Sequence, residues 1–407
     1  MIYVAAAVYL VLPTEVLTFV DRMIYGEWPG KPGDKITQLL NLLAIASSIL
    51  LFWVGTRVRS SQLNRAVPLA AAGLLAISVL WSVAPDTTMT RSVAYLFLVV
   101  GAIGIAEIFD PDEVMRLTAL IGGVSAAISL ALPDAAYAIT GNFRGAFPGK
   151  NQLGAAMVIG VLGGLHSMRV ARRHRLIYIG TTLLCAIVAF LSKSGTSLLT
   201  ILALYIFNLI GRFYVKGGIS RIVSMGAALF FTGAFVLLML NMDLIYSLLD
   251  KDATLTGRTE LWPYVMDYIY QRPLLGWGFT AFWTPFNPPA EEIMSAVGFP
   301  LNEAHNGLLQ LLLDVGIVGT AVFLFLWMRN VVMAVKCING PAPTIGVSSL
   351  ALLIGILLMG VTEQVLTTAD VWTAQFFMLG FMCEKQLGLA RQARSAIAPR
   401  SVAFQKA

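Results

Sequence analysis

Charge is scarce in this chain. Asp, Glu, Lys and Arg make up 12% of its 407 residues, against 57% hydrophobic residues and a mean hydropathy of +0.78. Soluble domains carry roughly 25% charged residues, so there is too little charge here to cover a large water-facing surface. Histidine and cysteine are scarcer still, at three each. Cys185, Cys337 and Cys383 lie far apart, in or beside apolar stretches, a placement that suggests neither a disulfide framework nor a zinc site. The one charge in excess is positive, a net +6 with a pI near 9.2. The basic residues are not gathered into a domain, so the excess argues for membrane orientation and not for a nucleic-acid partner.

What the chain has in quantity is apolar runs close to the ~20 residues that a bilayer crossing needs. Candidate crossings fall at 1–20, 37–55, 66–83, 92–108, 115–133, 151–167, 176–191, 195–211, 222–241, 306–328, 346–361 and 371–384. They predict an all-α polytopic membrane protein with about 12 transmembrane helices and one large outer loop containing short helices. The first run has no basic n-region and no clear small-residue cleavage site, so it reads as a retained helix and not a signal peptide. The runs at 176–191 and 195–211 are short and tightly joined, and one of them is expected to be tilted or irregular. Placing the C-terminus in the cytoplasm puts most of the 28 Lys and Arg residues in cytoplasmic segments, as the positive-inside rule requires. Both termini are then cytoplasmic. The chain divides into an N-terminal bundle of about nine helices (1–241), a large outer loop (242–305), C-terminal transmembrane helices (306–384) and a basic cytoplasmic tail (385–407) with little structure-forming pattern.

The outer loops hold polar residues that the orientation rule does not explain. In "NFRGAFPGKNQLGAA" (142–156), Arg144 and Lys150 stand on the outer side. A guanidinium fork and a mobile ammonium suit a phosphate or pyrophosphate; long cationic side chains also snorkel at a membrane interface. Asn151 and Gln152 can cap or donate at the next helix start. Lys193, in "LSKSGTS", is a third outer cation, placed either to help hold phosphate or merely to end two short spans. Arg258 precedes a helix-like run at 259–271 in which Leu261, Val265, Tyr268 and Ile269 share a face. Its aromatic residues, Trp262 among them, can anchor the loop at the interface or stack on sugar faces. Pro273, Gly276 and Gly278 end and turn it. His305 and Asn306 follow where the next helix begins: Asn306 reads as a cap, and His305 as a general base or a donor to phosphate. Glu303 and Asp314 do not complete a convincing metal-ligand set with His305. The small residues of "LLDVGIVG" (312–319) read as sites of close helix packing, with Asp314 as an intramembrane partner. Carboxylates in a bilayer are costly and often functional; Glu363 can orient a cation or His305, whereas Glu15, His166 and His174 read as structural.

In their order and spacing, "RGAFPGKNQLG" (144–154), "LSKSGTS" (191–197), "LTGRTELW" (255–262), "PLLGWGF" (273–279) and "AHNGLLQLLLDVGIVG" (304–319) resemble the O-antigen ligase and lipid-linked polysaccharide polymerase family. The exopolysaccharide polymerase branch is the nearest in character. The resemblance implies a glycosyltransferase that takes an undecaprenyl-diphosphate-linked glycan as donor at the periplasmic face of a bacterial inner (plasma) membrane. It implies no metal and no cofactor. The glycan acceptor is lipid A core in ligases and another lipid-linked repeat in polymerases. Carried onto this chain, the catalytic residues are His305, Arg258 and Arg144: the arginines hold the diphosphate and the histidine approaches the acceptor hydroxyl, giving inversion. Lys150 belongs to the first motif, and Lys193, Trp262, Asn306 and Glu363 join it as substrate-binding residues. Many members have His where this chain has Gly149, which leaves His305 as the sole candidate base. Polymerase is favoured on overall similarity to its branch, with ligase as the alternative. A chain-length regulator or export machinery is an expected partner. A transporter of lipid-linked sugar shares the bulk composition, but it is expected to show pseudo-symmetric halves around a central pathway.

Overall fold

The computed structural model describes residues 1–12, 35–58, 63–132, 142–240, 258–285 and 287–404, and every regular element among them is helical. In chain order these are α1 (Ile2–Val11), α2 (Lys35–Val58), α3 (Ala66–Ile77), α4 (Pro85–Ile108), α5 (Pro111–Ala131), α6 (Lys150–Val170), α7 (Arg175–Leu191), α8 (Gly195–Val215), α9 (Gly218–Leu240), α10 (Arg258–Gln271), α11 (Pro288–Val297), α12 (Gly307–Ile338), α13 (Pro343–Gly360) and α14 (Val371–Phe404). Each of the twelve apolar runs falls on one of these helices. Eight helices are long and apolar enough to cross a membrane. The other four runs, on α1, α3, α9 and α14, do not meet that measure among the described residues, and the structure supports a membrane-embedded helical protein with eight candidate crossings.

Burial separates the centre of the bundle from its rim. In α6, 78% of the most apolar stretch is buried, against 17% in α8, so α6 runs through the middle while α8 turns Leu199, Leu202, Tyr205 and Leu209 outward. Leu183, Phe190, Leu202 and Tyr205 are exposed large apolar residues of this rim, the surface expected of helices that face lipid. Tyr95 of α4, Met157 of α6 and Phe376 and Phe381 of α14 are fully buried between them. Both α7 and α8 are regular helices joined by a turn in which Lys193 takes φ 55, so neither span is irregular as expected. The basic tail also departs from expectation. It continues α14 without interruption to Phe404, because Ala, Leu, Arg and Gln are strong helix formers and extending a helix requires no new nucleus. Glu15 lies outside the described residues, as do 241–257 of the large loop.

One end of the bundle is tied by ions. Arg65 pairs with Glu107 at 2.6 Å, Arg329 with Glu384 at 2.7 Å, and Lys385 donates to the carbonyl of Glu107 at 2.9 Å. His166 is buried there between Ser348 and Asp112, at 2.8 and 3.0 Å, which bears out its structural reading.

The opposite end is organised by a break in α12. Gly316 has φ 63 and ψ −167, so the helix cannot make its ladder across this point. The carbonyls of Leu313 and Asp314 accept instead from the backbone N–H groups of Trp277 and Gly278, each at 2.9 Å. The N–H groups of Ile317 and Val318 donate to the carbonyls of Pro273 and Leu274, at 2.8 and 3.2 Å. Four groups freed by the break are thus paired with the turn 273–278, as buried backbone in an apolar surround must be. The glycines of "LLDVGIVG" were expected to permit helix packing; Gly316 is instead what admits this turn. A Cβ on Gly316 would lie 2.3 Å from the Leu274 carbonyl oxygen, and one on Gly276 would lie 2.6 Å from that of Asp314. The far side of the turn is gripped by the link between α3 and α4, through Val83 N–H to Trp277 O (3.1 Å), and by α4, through Thr88 Oγ1 to Phe279 O (3.0 Å).

Gly316→Ala is expected to lower the thermal unfolding midpoint of the purified protein by several degrees, since an alanine at φ 63, ψ −167, a region populated essentially by glycine, costs about 1–3 kcal/mol before the overlap is counted. Gly180→Ala, on an open helix surface with nothing within 4 Å, is the control and is expected to be neutral or stabilising. Equal midpoints for the two variants would contradict the break.

Candidate active site

The turn 273–278 carries an arm that spans α10 and α11. Leu261, Val265, Tyr268 and Ile269, the face read from the helical spacing, are all buried in a core of their own with Trp277, Phe282, Ile293, Leu301 and Ala304. This core covers the start of α12, where His305 stands. Arg258 is the first residue of α10, and its side chain lies outside what the structure describes. Trp262 follows one turn later on the same face. Its indole Nε1 donates to the carbonyl of Ala304 at 3.1 Å, so the ring is a tie between α10 and the residue before His305.

His305 is partly exposed and has φ 49. Its Nδ1 stands 2.9 Å from Glu303 Oε1 without hydrogen-bond geometry, so the contact is electrostatic. Glu363 completes the group: ligand atoms of Glu303, His305 and Glu363 all lie within 4.8 Å of one another. Asn151 donates to Glu363 Oε1 at 2.9 Å. Asn306 does what a cap does, accepting from Leu308 and Leu309 N–H at 3.0 Å each, and its amide nitrogen also reaches Val361 O at 3.3 Å.

Three helices begin around residues 361–363. Asn151 places the first turn of α6 against Glu363, Thr196 of α8 meets Thr362 at 2.6 Å, and Asn306 joins the start of α12 to Val361. The N-caps of α6 and α8, Gly149 and Ser194, supply no side-chain bond to the first-turn N–H groups. Helix starts of this kind carry partial positive charge and exposed donors, which suit an anion. Lys150 is the first residue of α6, beside Asn151. Arg144 is half-buried in the preceding turn, which is stapled to α5 by Ala146 N–H to Ser129 Oγ at 3.2 Å. Burial pushes its guanidinium below the usual value, yet an arginine stays charged at neutral pH. Lys193 is exposed at the tip of the α7–α8 turn, next to this region and not packed within it.

The structure therefore brings His305, Asn306, Glu363 and the start of α6 together, and links Trp262 to them through Ala304. Carboxylate and imidazole donors are also ligands for a small divalent cation, and Glu303, His305 and Glu363 are the residues that could hold one. Glu303 is the neighbour that sequence reading set aside. Its signal was its position two residues before the histidine.

Residues 180–324 match the family model described as O-antigen ligase. The likeness to the O-antigen ligases is borne out. The matched stretch runs from α7 into α12 and includes Arg258, Trp262, Glu303 and His305, while Arg144, Lys150 and Glu363 lie beyond it. The chain is also 29% identical over 263 residues to the exopolysaccharide production protein ExoQ of Rhizobium meliloti (strain 1021), covering 60% of this chain and 59% of that protein's length.

Replacing Asn306 tests the local assembly. Asn306→Ala is expected to cost about 1 kcal/mol of stability through loss of the cap, and Asn306→Ser to recover most of it, read as the unfolding midpoint. An unchanged midpoint in Asn306→Ala would show that α12 does not depend on the cap.

Proposed function

We propose that this protein is a membrane glycosyltransferase that polymerises undecaprenyl-diphosphate-linked oligosaccharide repeats during exopolysaccharide synthesis. In this reading the site faces the periplasm of a bacterial inner membrane and both termini are cytoplasmic. The observation that carries it is the meeting of His305, Glu303 and Glu363 with three helix starts at residues 361–363. A proton-accepting group thus stands beside a seat for an anion, as transfer from a diphosphate requires.

The chemistry follows from that pairing. His305 takes the proton of an acceptor hydroxyl at Nε2, while Glu303, 2.9 Å from Nδ1, orients the ring and favours the imidazolium that forms. The acceptor oxygen bonds to the anomeric carbon as the bond from that carbon to the phosphate oxygen breaks. The electron pair leaves with the diphosphate. Arg144, Arg258 and Lys150, with the α6 and α8 starts, stabilise the charge as it develops. Attack opposite the leaving group inverts the anomeric centre, and His305 then passes its proton to water. These steps use no metal, so transfer is expected to survive dialysis against a chelator.

The description of the matched family favours a second reading, transfer of the glycan to lipid A core. Deleting the gene separates the two. Loss of long exopolysaccharide with accumulation of single repeats supports the polymerase; loss of glycan on lipid A core supports the ligase. For the chemistry itself, His305→Ala is expected to reduce transfer from a lipid-linked donor by about 10²–10⁴-fold, and Arg258→Ala is expected to weaken it as well. Full turnover in both variants, with normal folding, would sink the mechanism.

A further inference from the structure

A buried amide that sequence reading passed over sits behind the candidate base. Gln310 is 2% exposed. Its Oε1 accepts from the backbone N–H of Ala304 at 2.8 Å and from the indole Nε1 of Trp283 at 3.1 Å, and its Nε2 donates to Asp314 Oδ1 at 3.0 Å. Two donors on one side and a carboxylate on the other fix which way the amide points, because the flipped amide would set its N–H groups against N–H groups. Ala304 is fully buried, and both of its backbone polar groups are held by side chains: the N–H by Gln310 and the carbonyl by Trp262. His305 is the next residue, and its φ of 49 is a conformation that an L residue keeps only where its surroundings impose it.

We infer that Gln310 is a positioning residue for His305, holding the backbone of Ala304 so that the imidazole is presented to Glu303 and Glu363. The chain of contacts begins at the helix break. The carbonyl of Asp314 accepts from Gly278, its carboxylate accepts from Gln310, and Gln310 holds Ala304. On the other side Trp262 ties the same residue to the helix that Arg258 opens. The base and the arginine-bearing helix are therefore referred to one buried peptide unit. As a role in catalysis this rests on the transfer reaction proposed above; as a statement about the histidine it can be tested without that reaction.

The test is the rate at which diethyl pyrocarbonate modifies each histidine of the full-length protein in nanodiscs at pH 8, read by peptide mass spectrometry. The His305 side chain is 22% exposed and within reach of the reagent, and exposed His174 serves as the internal reference. Gln310→Met removes all three bonds, and Gln310→Glu sets a second carboxylate against Asp314. Both are expected to change the His305 rate several-fold and leave His174 unchanged. The double variant Gln310→Glu/Asp314→Asn keeps an acceptor for Ala304 and Trp283 and restores a donor between the two side chains, and it is expected to return His305 to the wild-type rate. Transfer in Gln310→Met is expected to lose kcat with little change in KM for the lipid-linked donor. A wild-type His305 rate in both single variants overturns the inference, as does a double variant that stays shifted. Should Gln310→Met not fold, the Gln310→Glu pair decides alone. If His305→Ala kept full transfer, the proposed reaction would fall while the modification rates still settled the positioning.

Discussion

Four backbone hydrogen bonds across the interruption at Gly316 hold the arm to the bundle. In an apolar surround each unpaired N–H or C=O costs several kcal/mol, so a helix there stays intact unless another segment takes over its partners. The turn 273–278 does this bond for bond. Its aromatic neighbours Trp277 and Phe282 then seed the arm's own core, and that core covers the start of α12 where His305 lies. Removing the break would therefore loosen the arm that carries Arg258 and Trp262 from the start of α12, without touching either residue directly.

How much of this is legible in the sequence follows from what periodicity records. Hydropathy located every apolar helix, because apolar content is a property of the residues themselves. The buried face of α10 was legible for the same reason. Length was less secure: α3 is apolar but only 12 residues long, and its apolar run was counted as a crossing all the same. The tail was misread because a basic, alanine-rich stretch shows no apolar stripe in its sequence to betray its helix. Gly316 was misread because a glycine that breaks a helix and one that permits packing look alike in sequence.

Site residues divide along the same line. His305 and Asn306 could be read because a cap and a lone histidine beside a helix start each have a local signal. The tie from Trp262 to Ala304 spans 42 residues and leaves no local trace. Gln310 and Asp314 carried a weak one, two polar residues four apart in an apolar run, but what they hold is a peptide from outside the helix. The approach of Glu363 to Asn151, 212 residues away, was beyond any local pattern. Around residues 361–363 two kinds of group meet that separately mean little. Helix starts favour negative charge, and two carboxylates stand beside an imidazole that can take a proton. Together they suit a reaction in which an anion departs as a proton is taken up, as in the glycan transfer proposed above.

The most direct measurement is an experimental map of the protein with a polyprenyl diphosphate bound. The proposed mechanism predicts diphosphate density at the starts of α6 and α8, within hydrogen-bond reach of Lys150 and Arg258, with the imidazole of His305 turned toward the glycan end. Diphosphate seated at the ion-tied end of the bundle, or apart from His305, would contradict it.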